Sequence, residues 1–147
     1  MNLVEIYFIA GQMKIQTHML SDELYEATND AGNKVFIDMR SHGQKKDQSP
    51  VELLLSSLSA CGAVDIVGIL KKRKKTILNF SIEAEGTRQH ELPRYFTNIH
   101  CHYTAVSPDL TEEEFQKAAA LALEKYCSVA TSLKAEITFS VQVIRPN

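Results

Sequence analysis

Three cysteines are the residues best suited to chemistry in this chain: Cys61, Cys101 and Cys127. A thiol serves as nucleophile or metal ligand only as its thiolate, so each one's surroundings decide whether it reacts. Cys61 lies in Ser59-Ala60-Cys61-Gly62, among small neighbours that leave room for another molecule to approach the sulfur. The same small residues equally suit close helix packing, and free cysteine is among the most buried residue types. Cys127 follows Lys125 and Tyr126, both able to polarise or hydrogen-bond a thiolate. On these features alone, each cysteine reads first as a small buried hydrophobe.

Cys101 stands between two histidines, in Ile99-His100-Cys101-His102-Tyr103. On a strand the histidines point to one face and the cysteine to the other, so the three do not converge on one ion. The bland reading, a solvent-facing histidine pair, is preferred over a metal site. Asp65 falls one turn beyond Cys61 on the same helical face, where a carboxylate disfavours a thiolate. No G-x-S-x-G, P-loop, G-x-G-x-x-G or H-E-x-x-H motif is present, so serine-hydrolase, nucleotide and zinc-protease readings lack their carriers.

An odd number of cysteines without a C-x-x-C pair fits a reducing compartment, where any disulfide is transient. The chain has 147 residues and a net charge of −2, one ordinary domain with no general attraction to nucleic acid or anionic membranes. No apolar run is expected to reach the roughly 20 residues of a membrane span. The start, with Glu5 inside Leu3 to Ala10, is not expected to act as a secretory signal. The expected location is cytoplasmic.

The elements that must position the cysteines are legible from patterning. Residues 4–9 and 13–19 read as short extended stretches, with residues 1–12 an optional arm if Met13 is the true start. Leu24 to Thr28 and Lys34 to Met39 flank a turn-rich Asn29-to-Asn33 cluster and read as a hairpin. Ser49, Pro50 and Glu52 mark a capped helix start. The following segment, through Lys72, is apolar on nearly every face, which calls for more covering than one subunit of this size supplies. Lys71 to Lys75 are cations suited to a helix C-terminus rather than to a polyanion. Ile77 to Glu85 and Tyr95 to Ala105 read as antiparallel strands. Thr111 with Glu112 to Glu114 opens a second, amphipathic helix, with Phe115, Ala119, Ala122 and Tyr126 on one stripe. Glu136 to Ile144 alternates as a final strand.

Three segments together resemble the OsmC/Ohr family, the osmotically inducible and organic-hydroperoxide-resistance proteins. They are Ser49-Pro50-Val51-Glu52-Leu53-Leu54 continuing to Ala60-Cys61, then Leu92 to Ile99, and Glu124-Lys125-Tyr126-Cys127-Ser128-Val129. The resemblance covers roughly residues 20–144. It implies a single α+β domain in an interlocked homodimer, with antiparallel sheets wrapped around central helices. It further implies that Cys61 attacks an organic hydroperoxide, that Cys127 resolves the product as a disulfide, and that an external dithiol restores both. No metal or organic cofactor has a step in that scheme, and neither nucleic acid nor membrane is an expected partner.

Two departures accompany the resemblance. Peroxidatic members place a glutamate directly after the helix-opening proline; here Val51 stands there and the acid is Glu52, about 100° around the helix. Such members also carry an arginine in the N-terminal strands, whereas residues 1–39 here contain none. Glu52 and Arg94 are the expected stand-ins, with Arg40 and Arg88 as other sources of a guanidinium. The chain thus looks like a divergent OsmC-like subgroup. Its expected function is thiol-dependent reduction of organic hydroperoxides, and the alternative is a redox-sensing or small-molecule-binding protein without fast peroxidase activity.

Overall fold

A computed structural model describes residues 11–147; the extended stretch expected at 4–9, and most of the expected N-terminal arm, lie outside them. The described residues divide into two units, one ending at Leu53 and one running from Leu54 to Asn147. The fold is α+β, with one three-stranded sheet in each unit.

In the first unit, β1 (Ile15–Ser21), β2 (Leu24–Asn29) and β3 (Lys34–Asp38) form an antiparallel meander in that order. The β2–β3 turn is the expected one: Gly32 adopts a φ of 84°, the left-handed conformation that glycine reaches without strain. Every residue of β1 is exposed, including the apolar Ile15, Met19 and Leu20. The fixed point of this unit is Asp38, which is fully buried. Its carboxylate takes a two-pronged hydrogen bond from Arg40, Nε at 2.9 Å and Nη2 at 2.6 Å, and accepts from the amides of Arg40 and Lys46. The Arg40 guanidinium above all holds this carboxyl far below the usual carboxylate range, against the opposing effect of desolvation.

Helix α1 (Pro50–Lys72) begins where the sequence places it. Glu52 accepts from the Ser49 amide and hydroxyl, both at 2.7 Å. Within the second unit, the fully covered positions of α1 are Leu58, Gly62, Ile66 and Leu70, a single row at four-residue spacing. Helix α1 is long and apolar enough to cross a membrane by length and composition, with only 22% of its most apolar window buried. That corrects the expectation that no run approaches such a length, although a soluble protein's core helix passes the same test. Beyond the last helical residue, Lys72, Lys74 adopts a φ of 61°, the left-handed turn common just past a helix C-terminus. Lys75 then pairs with Glu114 at 2.8 Å.

Strand β4 (Asn79–Arg88) pairs antiparallel with β5 (Phe96–Val106), and β6 (Glu136–Ile144) joins the other side of β5 in parallel. This pairing corrects the expectation of antiparallel sheets, since the second sheet is mixed, and a parallel neighbour needs a crossover connection. Here it is helix α2 (Glu112–Leu121), a π-helical turn (Ala122–Tyr126) and the short helix α3 (Ser128–Ser132). Thr111 forms the full capping box with Glu114. On β5, Phe96, Ile99, Cys101, Tyr103 and Ala105 are buried. The Phe80 ring packs on both Tyr103 and Phe115, with centroids 6.1 Å and 5.7 Å apart.

Candidate active site

Cys61 enters the site from α1. It is one position before Gly62, which lies on the buried row, so the thiol sits at that row's edge and is half-buried. Cys127 reaches the site by a different device. The amphipathic stripe predicted on α2 runs true through Phe115, Ala119 and Ala122, all fully buried, and then fails: Tyr126 is 57% exposed. The cause is the π turn, in which the Cys127 amide donates to the Ala122 carbonyl, five residues back, at 2.9 Å. One extra residue in the turn advances the helical register by one position, so Cys127 takes the inward place that Tyr126 would hold. The chain then leaves helical geometry at Cys127, and its sulfur caps α3 by accepting from the Ala130 amide at 3.4 Å.

Cys61 and Cys127 are both free thiols. Burial is the main cause that pushes the Cys127 thiol above its ordinary value, the Ala130 amide opposes it, and the neighbouring Cys61 raises it further. Two sulfurs from well-separated segments thus share one environment. Cys101 is a third free thiol and fully buried. Burial pushes it up too, with the adjacent Tyr103 hydroxyl pulling the other way.

The remaining expected site residues are placed as follows. Glu52 binds Lys45 and Ser49, and its carboxyl is held down to about 2, by Lys45 first. Nine residues separate it from Cys61 on α1, about half a rotation of the helix. Arg94 sits exposed in the β4–β5 loop, where its Nε donates to the His90 carbonyl at 3.1 Å. Arg88 donates to the Arg94 carbonyl in the same loop, and Arg40 is held by Asp38. Asp65 lines a groove of about 410 Å³ with Val64, Lys72, Arg73 and Tyr126. His100 and His102 share the Ser140 hydroxyl, at 2.8 Å and 2.7 Å. Among the described residues, no group of three or more His, Cys, Asp or Glu side chains is arranged to hold a metal ion.

Sequence reasoning passed over Tyr103 and Gly62. Tyr103 shares the inward face of β5 with Cys101, two residues earlier, so strand alternation carried the signal for it. Nothing local marked Gly62, whose role depends on what β5 places against it.

Two free thiols from separate segments thus lie near one another on an α+β framework of the kind the sequence resembles. The OsmC-like protein family matches residues 43–142, and the chain belongs to that family. The protein YhfA of Escherichia coli K12 is 34% identical over 116 residues, 78% of this chain and 85% of YhfA. The crystal structure of a hypothetical protein from Aquifex aeolicus superposes with a TM-score of 0.81 at 25% identity, covering 92% of this chain and 98% of the other. The organic hydroperoxide resistance protein OhrB of Bacillus subtilis shares the fold, with a TM-score of 0.65 at 14% identity over 92% of this chain and 99% of OhrB.

Proposed function

We propose that this protein is a cytoplasmic thiol-dependent reductase of organic hydroperoxides, working as a homodimer. The observation that carries the reading is the approach of half-buried Cys61 to buried Cys127 with both sulfurs free. Accessibility assigns the roles. The Cys61 thiolate attacks the distal oxygen of ROOH, the O–O bond breaks, and the alkoxide leaves and is protonated to ROH. Cys61 is then a sulfenic acid. The Cys127 sulfur displaces water from it, forming the Cys61–Cys127 disulfide, and an external dithiol reduces that bond while becoming oxidised itself.

The homodimer is supported by exposed apolar side chains in both units. Ile15 and Met19 on β1 are 59% and 63% exposed, and Val64 on α1 is 72% exposed. Such surface is ordinarily buried against a partner, and the interlocked arrangement expected of the family supplies one.

Peroxide consumption by purified protein with a dithiol, comparing cumene hydroperoxide with hydrogen peroxide, tests the proposal alongside Cys61→Ser. The expected result is turnover that prefers the organic peroxide and is abolished in the variant. Equal turnover by Cys61→Ser would sink it. A second reading, a redox sensor or small-molecule binder on the same fold, is favoured by Glu52 being engaged with Lys45 and Ser49. Oxidation of Cys61 by stoichiometric peroxide without sustained turnover would select it.

A further inference from the structure

The Tyr103 hydroxyl is fully buried and finds no hydrogen-bond partner. A buried donor without a partner is costly, and native proteins rarely keep one without use for it. The position of this hydroxyl is tightly constrained. Its ring packs between Phe80 and Phe139, with centroids 6.1 Å and 6.5 Å away. Its oxygen abuts the residue after Cys61: a Cβ on Gly62 would stand 2.8 Å from it, and 3.6 Å from a methyl of Leu123 in the π turn. Tyr103 therefore points between the two segments that carry Cys61 and Cys127, and Gly62 leaves the room it needs.

The titratable groups that bear on this hydroxyl are the three thiols. The register neighbours of Tyr103, Ile82 on β4 and Val141 on β6, carry no charge. Burial above all pushes the phenol far above its ordinary value, and negative charge on Cys101, Cys127 or Cys61 pushes the same way. The phenol thus stays protonated and remains a donor. Cys101 is near enough to feel the hydroxyl without meeting it in hydrogen-bonding geometry.

We propose that Tyr103 is the charge-stabilising donor of the site, its unpartnered hydroxyl hydrogen-bonding the anionic sulfur of the Cys61–Cys127 pair when Cys61 ionises. This rests on the reading of Cys61 as the attacking thiol. It gives a neutral phenol the place that peroxidatic relatives are expected to give an arginine. A hydrogen bond to the charged form favours ionisation, so the hydroxyl makes Cys61 more reactive at a given pH. No proton is transferred from Tyr103.

The test is the rate of Cys61 alkylation by iodoacetamide in the full chain, followed site by site by mass spectrometry from pH 5 to pH 10. Tyr103→Phe is expected to slow alkylation about tenfold on the acid side of the profile, the equivalent of one unit of acidity. The curves should converge at the alkaline plateau, where ionisation is complete without help. Phenylalanine also removes the unpartnered hydroxyl, so the variant should melt no lower than wild type. A purely structural tyrosine would leave the alkylation profile unmoved. Gly62→Ala, which keeps the hydroxyl but displaces it, should shift the profile in the same direction and carries the test if Tyr103→Phe does not fold. Superimposable profiles overturn the proposal. The measurement needs no peroxide, so a chain that shows the Tyr103 effect but no turnover would refute the reductase reading alone.

Discussion

The Ala130 amide donates to the Cys127 sulfur at 3.4 Å, so the resolving thiol proposed here is also the N-cap of helix α3. The two roles separate by substitution. Cys127→Ser keeps an acceptor at the cap, and a hydroxyl is a better acceptor than a thiol. Cys127→Ala removes it and is expected to cost about 0.5 kcal/mol more in chemical denaturation, the low end for a lost cap. Both variants should stop disulfide formation and leave the Cys61 sulfenic acid open to trapping by dimedone. An equal yield of the Cys61–dimedone adduct from wild type and Cys127→Ser would remove Cys127 from the resolving role.

Acid stability should depend on Glu114. Lys75 first, and then the Thr111 amide, hold its carboxyl down to about 2 from an ordinary 4.5. A carboxyl more acidic in the folded chain than in the unfolded one stabilises the fold fully above its unfolded value, and that contribution disappears as pH falls through the folded value. Glu114→Gln should therefore melt lower than wild type at pH 6 and 7. The gap should narrow between pH 4.5 and pH 2, as seen by thermal denaturation followed by circular dichroism. A gap that widens with acid would contradict the Lys75–Glu114 pairing.

Asp38 organises the first unit through Arg40 and the amides of Arg40, Lys46 and Asp47. Asp38→Asn leaves Arg40 without its countercharge and supplies one acceptor oxygen where two are used. Hydrogen exchange should show the amides of Arg40 and Lys46 losing protection, while those of β5 in the second unit keep theirs. Uniform loss across both units would mean that Asp38 supports more than its own loop.

Phe115 is fully buried against Phe80. Phe115→Ala should cost about 3–5 kcal/mol, the range for emptying an aromatic site in a core. Loss of Phe80 packing should also loosen Tyr103, which the same ring contacts at 6.1 Å. The variant's Cys61 alkylation profile is thus expected to move toward that of Tyr103→Phe, whereas a core change elsewhere would lower the melting temperature alone.

Much of the framework was legible in the sequence because it rests on local rules. Ser49, Pro50 and Glu52 announced the start of α1, and Thr111 with Glu114 that of α2, because capping groups act within four residues of the helix end. Strand alternation told that Cys101 faces away from His100 and His102, and the motifs around Cys61 and Cys127 carried the family.

The pairing within the site was not local. Cys61 and Cys127 meet only because β5 and β6 run parallel and force a crossover, and because a π turn inserts one residue just before Cys127. A one-residue change in helical register has no compositional mark; it is decided by which side chain the core accepts, here a thiol in place of Tyr126. The same holds for Tyr103 and Gly62. Each is ordinary in its own segment, and only packing β5 against α1 sets a buried hydroxyl from the strand against a helix glycine next to Cys61. The sequence by itself determined the elements and the thiols; tertiary structure decided which thiols come near one another and which hydroxyl points toward their segments, because those contacts join residues whose local rules never refer to one another.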